Sequence, residues 1–167
     1  MKFLAYLAVV LLALASTSFA KTRVELKDAQ GKDVGYVILW DQDRGIALDL
    51  HLHDLTPGDH AIHFHQVPKC EGPDFKSAGG HFNPEGKKHG FDNPDGHHAG
   101  DMKNFTVRAD GKAEAHLKDE DVTLKDGPPS LVSNGGTAIV IHAKGDDYKT
   151  DPAGNSGDRI ACGVITK

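Results

Sequence analysis

A stretch rich in histidine and glycine, residues 58–101, constrains the fold more than any other part of the chain. It contains seven of the eleven histidines. His63 and His65 are separated by one residue, and on a β-strand such a pair lies on one face, so that both imidazoles can bind the same metal ion. Four more possible ligands follow in a loop rich in Gly and Pro, which can bury little apolar surface and which a metal ion could hold together. They are His81, His89, His98 and Asp101.

The composition favours a single all-β domain. A chain of 167 residues has room for one ordinary domain, and 38% hydrophobic and 26% charged residues are typical of a soluble globular protein. The 19 glycines and 8 prolines argue against a helical bundle and favour short strands joined by turns. Alternating apolar residues and turn signals predict about eight strands, and hence a β-sandwich or a flattened barrel. These strands are predicted at residues 24–26, 34–40, 46–53, 60–66, 104–108, 113–117, 137–143 and 160–165.

The first twenty residues are organised as a secretory signal peptide. Lys2 precedes an apolar run over residues 3–15, and the small residues around Phe19 form a cleavage site. The apolar run is too short to span a bilayer. We therefore expect cleavage after Ala20, a mature domain over residues 21–167, export to the periplasm or secretion, and no membrane association after cleavage.

Charge and cysteine usage narrow the possible partners and the compartment. Loss of Lys2 with the signal leaves 18 basic and 24 acidic residues, a formal charge of −6, which argues against a nucleic-acid partner. The chain has two cysteines, Cys70 and Cys162. In an exported protein such a pair is expected to form a disulfide.

The alternation of side chains along residues 60–66 separates three histidines. His60 shares a face with the apolar Ile62 and Phe64, and we interpret it as a hydrogen-bonded structural residue. His63 and His65 lie on the other face, toward the loop that follows. Two further histidines, His51 and His53, fall on the polar face of another predicted strand and are interpreted as solvated.

The candidate ligands can be divided into two metal sites. Four histidine nitrogens suit Cu(II) in a tetragonal arrangement, and three imidazoles with one carboxylate suit a closed, tetrahedral Zn²⁺ site. His63 and His65 supply two nitrogens to the first site, and His142, at the end of a distant strand, can supply a third. The loop histidine nearest in sequence is His81. Because an imidazole has two nitrogens, His81 can bind copper with one and zinc with the other.

Several segments resemble the copper/zinc superoxide dismutases, in particular the exported bacterial type. The resemblance spans essentially all of residues 22–167, and its combined pattern is highly specific. It implies an eight-stranded Greek-key β-barrel or sandwich, immunoglobulin-like, with long metal-binding and electrostatic loops. The segments that carry it are HAIHFH (60–65), AGGHFNP (78–84), KHG (88–90), HAGD (98–101) and GNSGDRIACGVI (154–165).

The same resemblance implies one copper and one zinc per subunit and the dismutation of superoxide to O₂ and hydrogen peroxide. Copper would cycle between Cu(II) and Cu(I), while His81 leaves copper and takes up a proton. Arg159 matches the arginine beside the open copper face, and Asp146 matches the carboxylate that ties a copper ligand to a zinc ligand. His97 is off the family spacing and is interpreted as a surface residue. The implied ligands are His63, His65, His81 and His142 for copper, and His81, His89, His98 and Asp101 for zinc.

The chain departs from the family pattern in three places. Ala61 stands where glycine is usual, the segment from Cys70 to His81 is longer than in the animal enzymes, and the segment from His142 to Arg159 is short. The short segment leaves open how superoxide is guided; Lys144 and Lys149 are candidates beside Arg159.

Two other functions are weighed against dismutation. One is an exported copper- and zinc-binding protein without turnover, which would have no need of Arg159 or Asp146. The other is a zinc hydrolase, which needs an open coordination position that Asp101 fills here. A monomer and a homodimer are both compatible with the sequence, and the glycosylation sequon at Asn104 is interpreted as a chance occurrence.

Overall fold

The structure is a computed structural model that describes residues 20–167, so the predicted signal segment lies outside the described residues except for Ala20. Two 3₁₀ helices of one turn each occupy Lys76–Ala78 and Ser133–Gly135. No helix in the described part of the chain has the length and apolar character needed to cross a membrane. The strands are β1 (Lys21–Asp28), β2 (Asp33–Asp41), β3 (Ile46–Leu52), β4 (Gly58–His60), β5 (Ile62–His65), β6 (Phe105–Val107), β7 (Ala113–Asp119), β8 (Thr137–His142) and β9 (Arg159–Ile165).

Seven of these strands form one antiparallel sheet in the order β5-β8-β9-β1-β2-β3-β7, and β4 pairs with β6 in a second, small sheet. The chain passes from β4 into β5 through Ala61 alone, and a tight turn over residues 108–112 joins β6 to β7. The small sheet therefore connects the two edge strands of the large sheet. The predicted all-β barrel is confirmed.

The predicted strand over residues 60–66 is divided at Ala61. The Ala61 N–H donates to the carbonyl of Lys144, and the Ala61 carbonyl accepts from the N–H of His142, each at 2.9 Å. On either side of this point the chain changes partner, from β6 for β4 to β8 for β5. The other seven predicted strands are present, with ends that differ by a few residues.

Side chains on β5 and β8 alternate between two buried environments. Ile62 and Phe64 of β5 belong to the main core, together with Ile139 and Ile141 of β8, and each such side chain contributes about 1.5–3 kcal/mol through burial. The alternate residues on these strands face outward and are nevertheless buried, because the long loop between β5 and β6 covers them. That loop packs through a small second cluster of Phe75, Ala78, Ala138, Val140 and Cys162.

A disulfide fixes the long loop to β9, as the sequence predicts. Cys70 and Cys162 are bonded with a Cα–Cα distance of 5.6 Å and are 92 residues apart in the chain. Because Cys162 lies three residues after Arg159, the bond holds the start of the loop close to that arginine.

Candidate metal centre

The long loop returns to β5 and pairs with its free edge. The N–H of Phe64 donates to the carbonyl of Gly100 at 2.9 Å, and the N–H of Phe82 donates to the carbonyl of Phe64 at 2.7 Å. Gly100 is required for this approach, since a Cβ there would lie 2.5 Å from the Phe64 carbonyl oxygen. The resulting bridges place His63 opposite Asp101 and His65 opposite His81.

Four buried imidazoles meet on this side of the sheet: His63, His65, His81 and His142. One nitrogen from each lies within 4.8 Å of the other three. Buried polar atoms almost always have a hydrogen-bond partner, yet each of these rings has one buried nitrogen with no partner among residues 20–167. The four atoms are His63 Nδ1, His65 Nε2, His81 Nε2 and His142 Nε2. A convergent set of four imidazole nitrogens suits Cu(II).

In His63 and His65, the ring nitrogen that is not in the convergent set makes a hydrogen bond as a donor. The lone pair of each ring therefore lies on the nitrogen that faces the other histidines. His63 Nε2 donates to Asp146 Oδ2 at 2.8 Å, and His65 Nδ1 donates to the Gly79 carbonyl at 3.0 Å. Burial lowers the pKa of His63 and His65, and it lowers the pKa of His81 and of His142 to about 3. All four rings are therefore neutral at pH 7, which is the protonation state that binds a metal.

A second group lies directly behind His81. Asp101 Oδ1 is 2.8 Å from His81 Nδ1, 3.0 Å from His89 Nδ1 and 3.2 Å from His98 Nδ1. The Nδ1 atoms of His81 and His98 are 3.3 Å apart. A tetrahedral Zn²⁺ with bonds of about 2.0 Å holds its ligand atoms about 3.3 Å apart, so these four atoms fit a closed zinc site. Asp101 Oδ2 accepts the N–H groups of Gly90 and His98, each at 3.0 Å.

Asp146 links the two groups. One carboxylate oxygen accepts from His63 Nε2 at 2.8 Å, and the other accepts from His89 Nε2 at 3.0 Å. Burial opposes protonation of His89, but its bonds to Asp101 and Asp146 outweigh burial and raise its pKa to about 9. Gly154 packs against this carboxylate with φ +61°, and a Cβ there would lie 1.7 Å from Asp146 Oδ1. Only glycine fits at that position.

Asn104 is a residue of the site that the sequence did not reveal. Its side-chain amide donates to the Asp146 carbonyl at 3.0 Å and its side-chain oxygen accepts the Asp146 N–H at 2.9 Å. The Asn104 backbone N–H donates to the hydroxyl of Tyr148 at 2.8 Å. These contacts join residues more than forty positions apart through backbone groups, which leave no pattern in the sequence. They also occupy the amide nitrogen of the sequon.

Arg159 lies beside the four-histidine group and is fixed by the long loop. Its two terminal nitrogens donate to the carbonyls of Phe75 and Gly79, each at 2.7 Å. Burial is the main cause of the lowered pKa of His65 and His142, and the positive charge of Arg159 adds to it in both cases. The guanidinium is thus close enough to act on the same group of rings.

A cavity of about 680 Å³ adjoins Arg159. Its other charged lining residues are Lys76 and three carboxylates, Asp28, Asp74 and Asp158. Lys144 and Lys149, both in the described part of the chain, are not among its lining residues. Lys76 is therefore a further candidate, beside Lys144 and Lys149, for guiding an anion toward Arg159, although its ammonium group pairs with Asp74 at 2.7 Å.

The remaining histidines are separate from both groups. His60 is buried, and its two ring nitrogens lie 2.7 Å from the carbonyl oxygens of His142 and Thr56, contacts that agree with the structural role expected for it. His97 lies at the surface and contacts Asp121 at 2.9 Å. His51 stacks on Tyr36 on the outer face of the sheet.

Fold and site together define a β-barrel protein with two adjacent sets of metal-ligand residues that share one histidine. A family model described as copper/zinc superoxide dismutase matches residues 34–165. A protein named superoxide dismutase [Cu-Zn] 1, from Aquifex aeolicus, is 45% identical over 161 residues, which are 95% of either chain.

Two solved structures show the same likeness. A single-site mutant of a SOD-like protein from Bacillus subtilis has a TM-score of 0.86 at 42% identity, covering 90% of this chain and 100% of that one. The Cu/Zn superoxide dismutase from Brucella abortus has a TM-score of 0.71 at 29% identity, covering 87% and 99%. The chain belongs to the copper/zinc superoxide dismutase family.

Proposed function

We propose that this protein is an exported superoxide dismutase that converts two superoxide anions and two protons into O₂ and hydrogen peroxide. The observation that carries this proposal is the convergence of four buried, unpartnered imidazole nitrogens. One of them belongs to His81, whose other nitrogen lies in the adjacent group. Family membership and the half-buried cation of Arg159 beside this group support it further.

Each subunit would hold one copper through His63, His65, His81 and His142, and one zinc through His81, His89, His98 and Asp101. Bound copper would supply the one-electron redox chemistry that the reaction needs, because superoxide is oxidised to O₂ in one half-reaction and reduced to hydrogen peroxide in the other. All of these proposed ligands lie close together within the described residues of one chain, which supports the assignment. The proposed activity therefore needs no residue from a partner, whether the protein is a monomer or a homodimer.

The protein residues bind the anion and position a proton. Arg159, held by two carbonyl groups, presents a fixed positive charge to a small anionic substrate. The Nδ1 atom of His81 faces Asp101 and the other zinc-group ligands, so its ring stays in place when Nε2 is not engaged. Nε2 is then a suitable atom to hold the proton that the peroxide product requires.

The disulfide supports the proposed export. Such bonds persist in oxidising compartments such as the periplasm, and this one fixes the loop that bonds Arg159. Protein purified from its native compartment is expected to begin at Lys21, which N-terminal sequencing would show.

Metal analysis of two matched variants, together with a superoxide assay, tests the proposed function. His142→Ala removes a residue of the copper set alone and should lose copper and dismutation while zinc is retained. His116→Ala removes an exposed histidine that pairs with Asp49 outside both groups, and it should retain both metals and full activity. Wild-type protein that binds one copper without accelerating superoxide decay would instead be a metal-binding protein without turnover.

A further inference from the structure

Ser156 places a buried hydroxyl against one of the four rings of the copper set. The residue is 1% exposed and lies in the turn that precedes β9. Its Oγ is 3.0 Å from His142 Nδ1 and 2.7 Å from the carbonyl oxygen of Ala153. The carbonyl oxygen of Gly157 is the other neighbour of His142 Nδ1, at 3.3 Å.

One arrangement of the hydrogen atoms in this cluster uses both contacts of the Ser156 hydroxyl and leaves no two lone pairs facing each other. A carbonyl oxygen only accepts, so the Ser156 hydroxyl donates to Ala153 and presents a lone pair to His142. The Nδ1–H of His142 then donates to Ser156 Oγ, with Gly157 as a second acceptor. In the reverse arrangement, Ser156 would donate to His142 and the Ala153 carbonyl would lose its bond from the hydroxyl. The lone pair on His142 Nδ1 would then also face the oxygen of Gly157, which is repulsive. With the proton on Nδ1, the lone pair is on Nε2, the atom that has no protein partner.

We propose that Ser156 is a positioning residue for His142, which fixes its tautomer and ring orientation so that Nε2 faces the copper. The proposal rests on the copper site assigned under the proposed function. An acceptor on the far nitrogen makes an imidazole a more basic ligand, and a more basic ligand favours Cu(II) over Cu(I). Ser156 thereby also lowers the reduction potential of the copper.

His63 and His65, the copper-set histidines on β5, each donate a hydrogen bond to a close acceptor. Without Ser156, His142 would have no acceptor as close as theirs. His63 donates to the carboxylate of Asp146 at 2.8 Å, and His65 donates to a carbonyl at 3.0 Å. Without the Ser156 hydroxyl, His142 would keep only the longer contact to Gly157. The Ser156 hydroxyl contacts no residue of the zinc set, so its removal should weaken copper binding selectively.

Ser156→Ala, compared with Ser130→Ala, tests this role in the zinc-loaded protein. Ser130 is also a buried serine, but its hydroxyl accepts the N–H groups of Val132 and Ser133, outside the metal groups. Ser156→Ala should raise the copper dissociation constant about tenfold, alter the Cu(II) electron paramagnetic resonance spectrum and shift the reduction potential to a more positive value. Ser130→Ala should reproduce the wild-type values of all three.

A wild-type copper affinity and an unchanged spectrum in Ser156→Ala would overturn the proposal. Nitrogen-15 spectroscopy of zinc-loaded, copper-free wild-type protein provides a test that needs no variant. It should show His142 protonated on Nδ1, and protonation on Nε2 would overturn the proposal even if Ser156→Ala fails to fold. Failure of the wild-type protein to bind copper would contradict the proposed function instead, so the two failures are distinguishable.

Discussion

Asp146 holds both groups of ligands with one side chain, since its carboxylate accepts a hydrogen bond from the ring N–H of His63 on one side and from that of His89 on the other. In Asp146→Asn, one of these ring N–H groups would face an amide N–H₂. Second-sphere partners of this kind are worth about 10–100-fold in metal affinity, so we expect both copper and zinc to bind more weakly by about that factor. Competition with chelators measures each affinity. Weakening of one metal alone would show that Asp146 does not act on both groups.

Asp119 gives a prediction for the pH dependence of stability. Burial raises the pKa of this carboxyl group to about 8, and its Oδ2 has no partner in the described structure. The group is therefore protonated when folded but ionised above a pKa of about 3.9 when unfolded. The contribution of protonated Asp119 to the free energy of unfolding is fully present below about pH 4 and is lost as the pH rises toward 8.

The variant Asp119→Asn should not lose stability in this way, because an asparagine side chain does not ionise. Relative to wild type, the variant should gain stability as the pH rises from about 4 to about 8, by up to about 1.4 kcal/mol per pH unit, with no further gain above pH 8. Urea unfolding at a series of pH values measures the difference. Parallel curves for the two proteins across this range would contradict the raised pKa.

Residues that bind through their own side chains at regular spacing were predictable from the sequence. The alternation at His63 and His65 is one example, and the structure places every candidate ligand in one of two groups that share His81. Ser156 and Asn104 act through contacts with backbone groups or across distant parts of the chain. Their partners become visible only when the barrel has brought the loops together.

The position of the long loop between β5 and β6 depends on the disulfide that ties the loop to β9. Closing a loop of 92 residues stabilises the folded state by roughly 4–5 kcal/mol in the chain-entropy model. The Cys70→Ser, Cys162→Ser double variant should therefore lose about that much free energy of unfolding in metal-free protein, as measured by urea denaturation. Activity should fall as well, because Arg159 is bonded to Phe75 and Gly79 of the same loop. Unchanged stability and rate in the double variant would contradict both effects.

Seven strands were predictable because each alternates or is continuously apolar between clear turn signals. The division of the eighth at Ala61 was not, since both hydrogen bonds that divide it are made with residues 142–144, far along the chain. Alternation over residues 60–66 continues through the break, so the pattern of side chains reads as one strand. The parity that it predicts for His63 and His65 is nevertheless correct, because both remain on the face opposite Ile62 and Phe64.

The charge of the whole molecule opposes its proposed substrate. The formal net charge of the sequence is −5, which repels superoxide at long range, while charges act over only about 8 Å at physiological ionic strength. We therefore expect the cations near Arg159 to assist capture at short range, against three carboxylates that line the same cavity. Lys76 lines the same cavity as Arg159 and is exposed.

Lys76→Glu should lower the second-order rate constant several-fold at low salt, and the loss should shrink as the ionic strength rises. Lys167→Glu is the matched control, since it makes the same change in net charge at an exposed lysine that pairs with Asp126 and does not line the cavity. Pulse radiolysis over a range of salt concentrations measures the rates. Equal losses in the two variants would show that only net charge matters.

Copper titration of zinc-loaded protein, with unbound copper removed before each rate of superoxide decay is measured, tests whether the four-histidine group is a copper site that dismutes superoxide. The rate should rise in proportion to added copper and reach a plateau at one equivalent per subunit, because one set of four nitrogens is available. A rate that does not rise, or one that continues to rise beyond one equivalent, would contradict the claim.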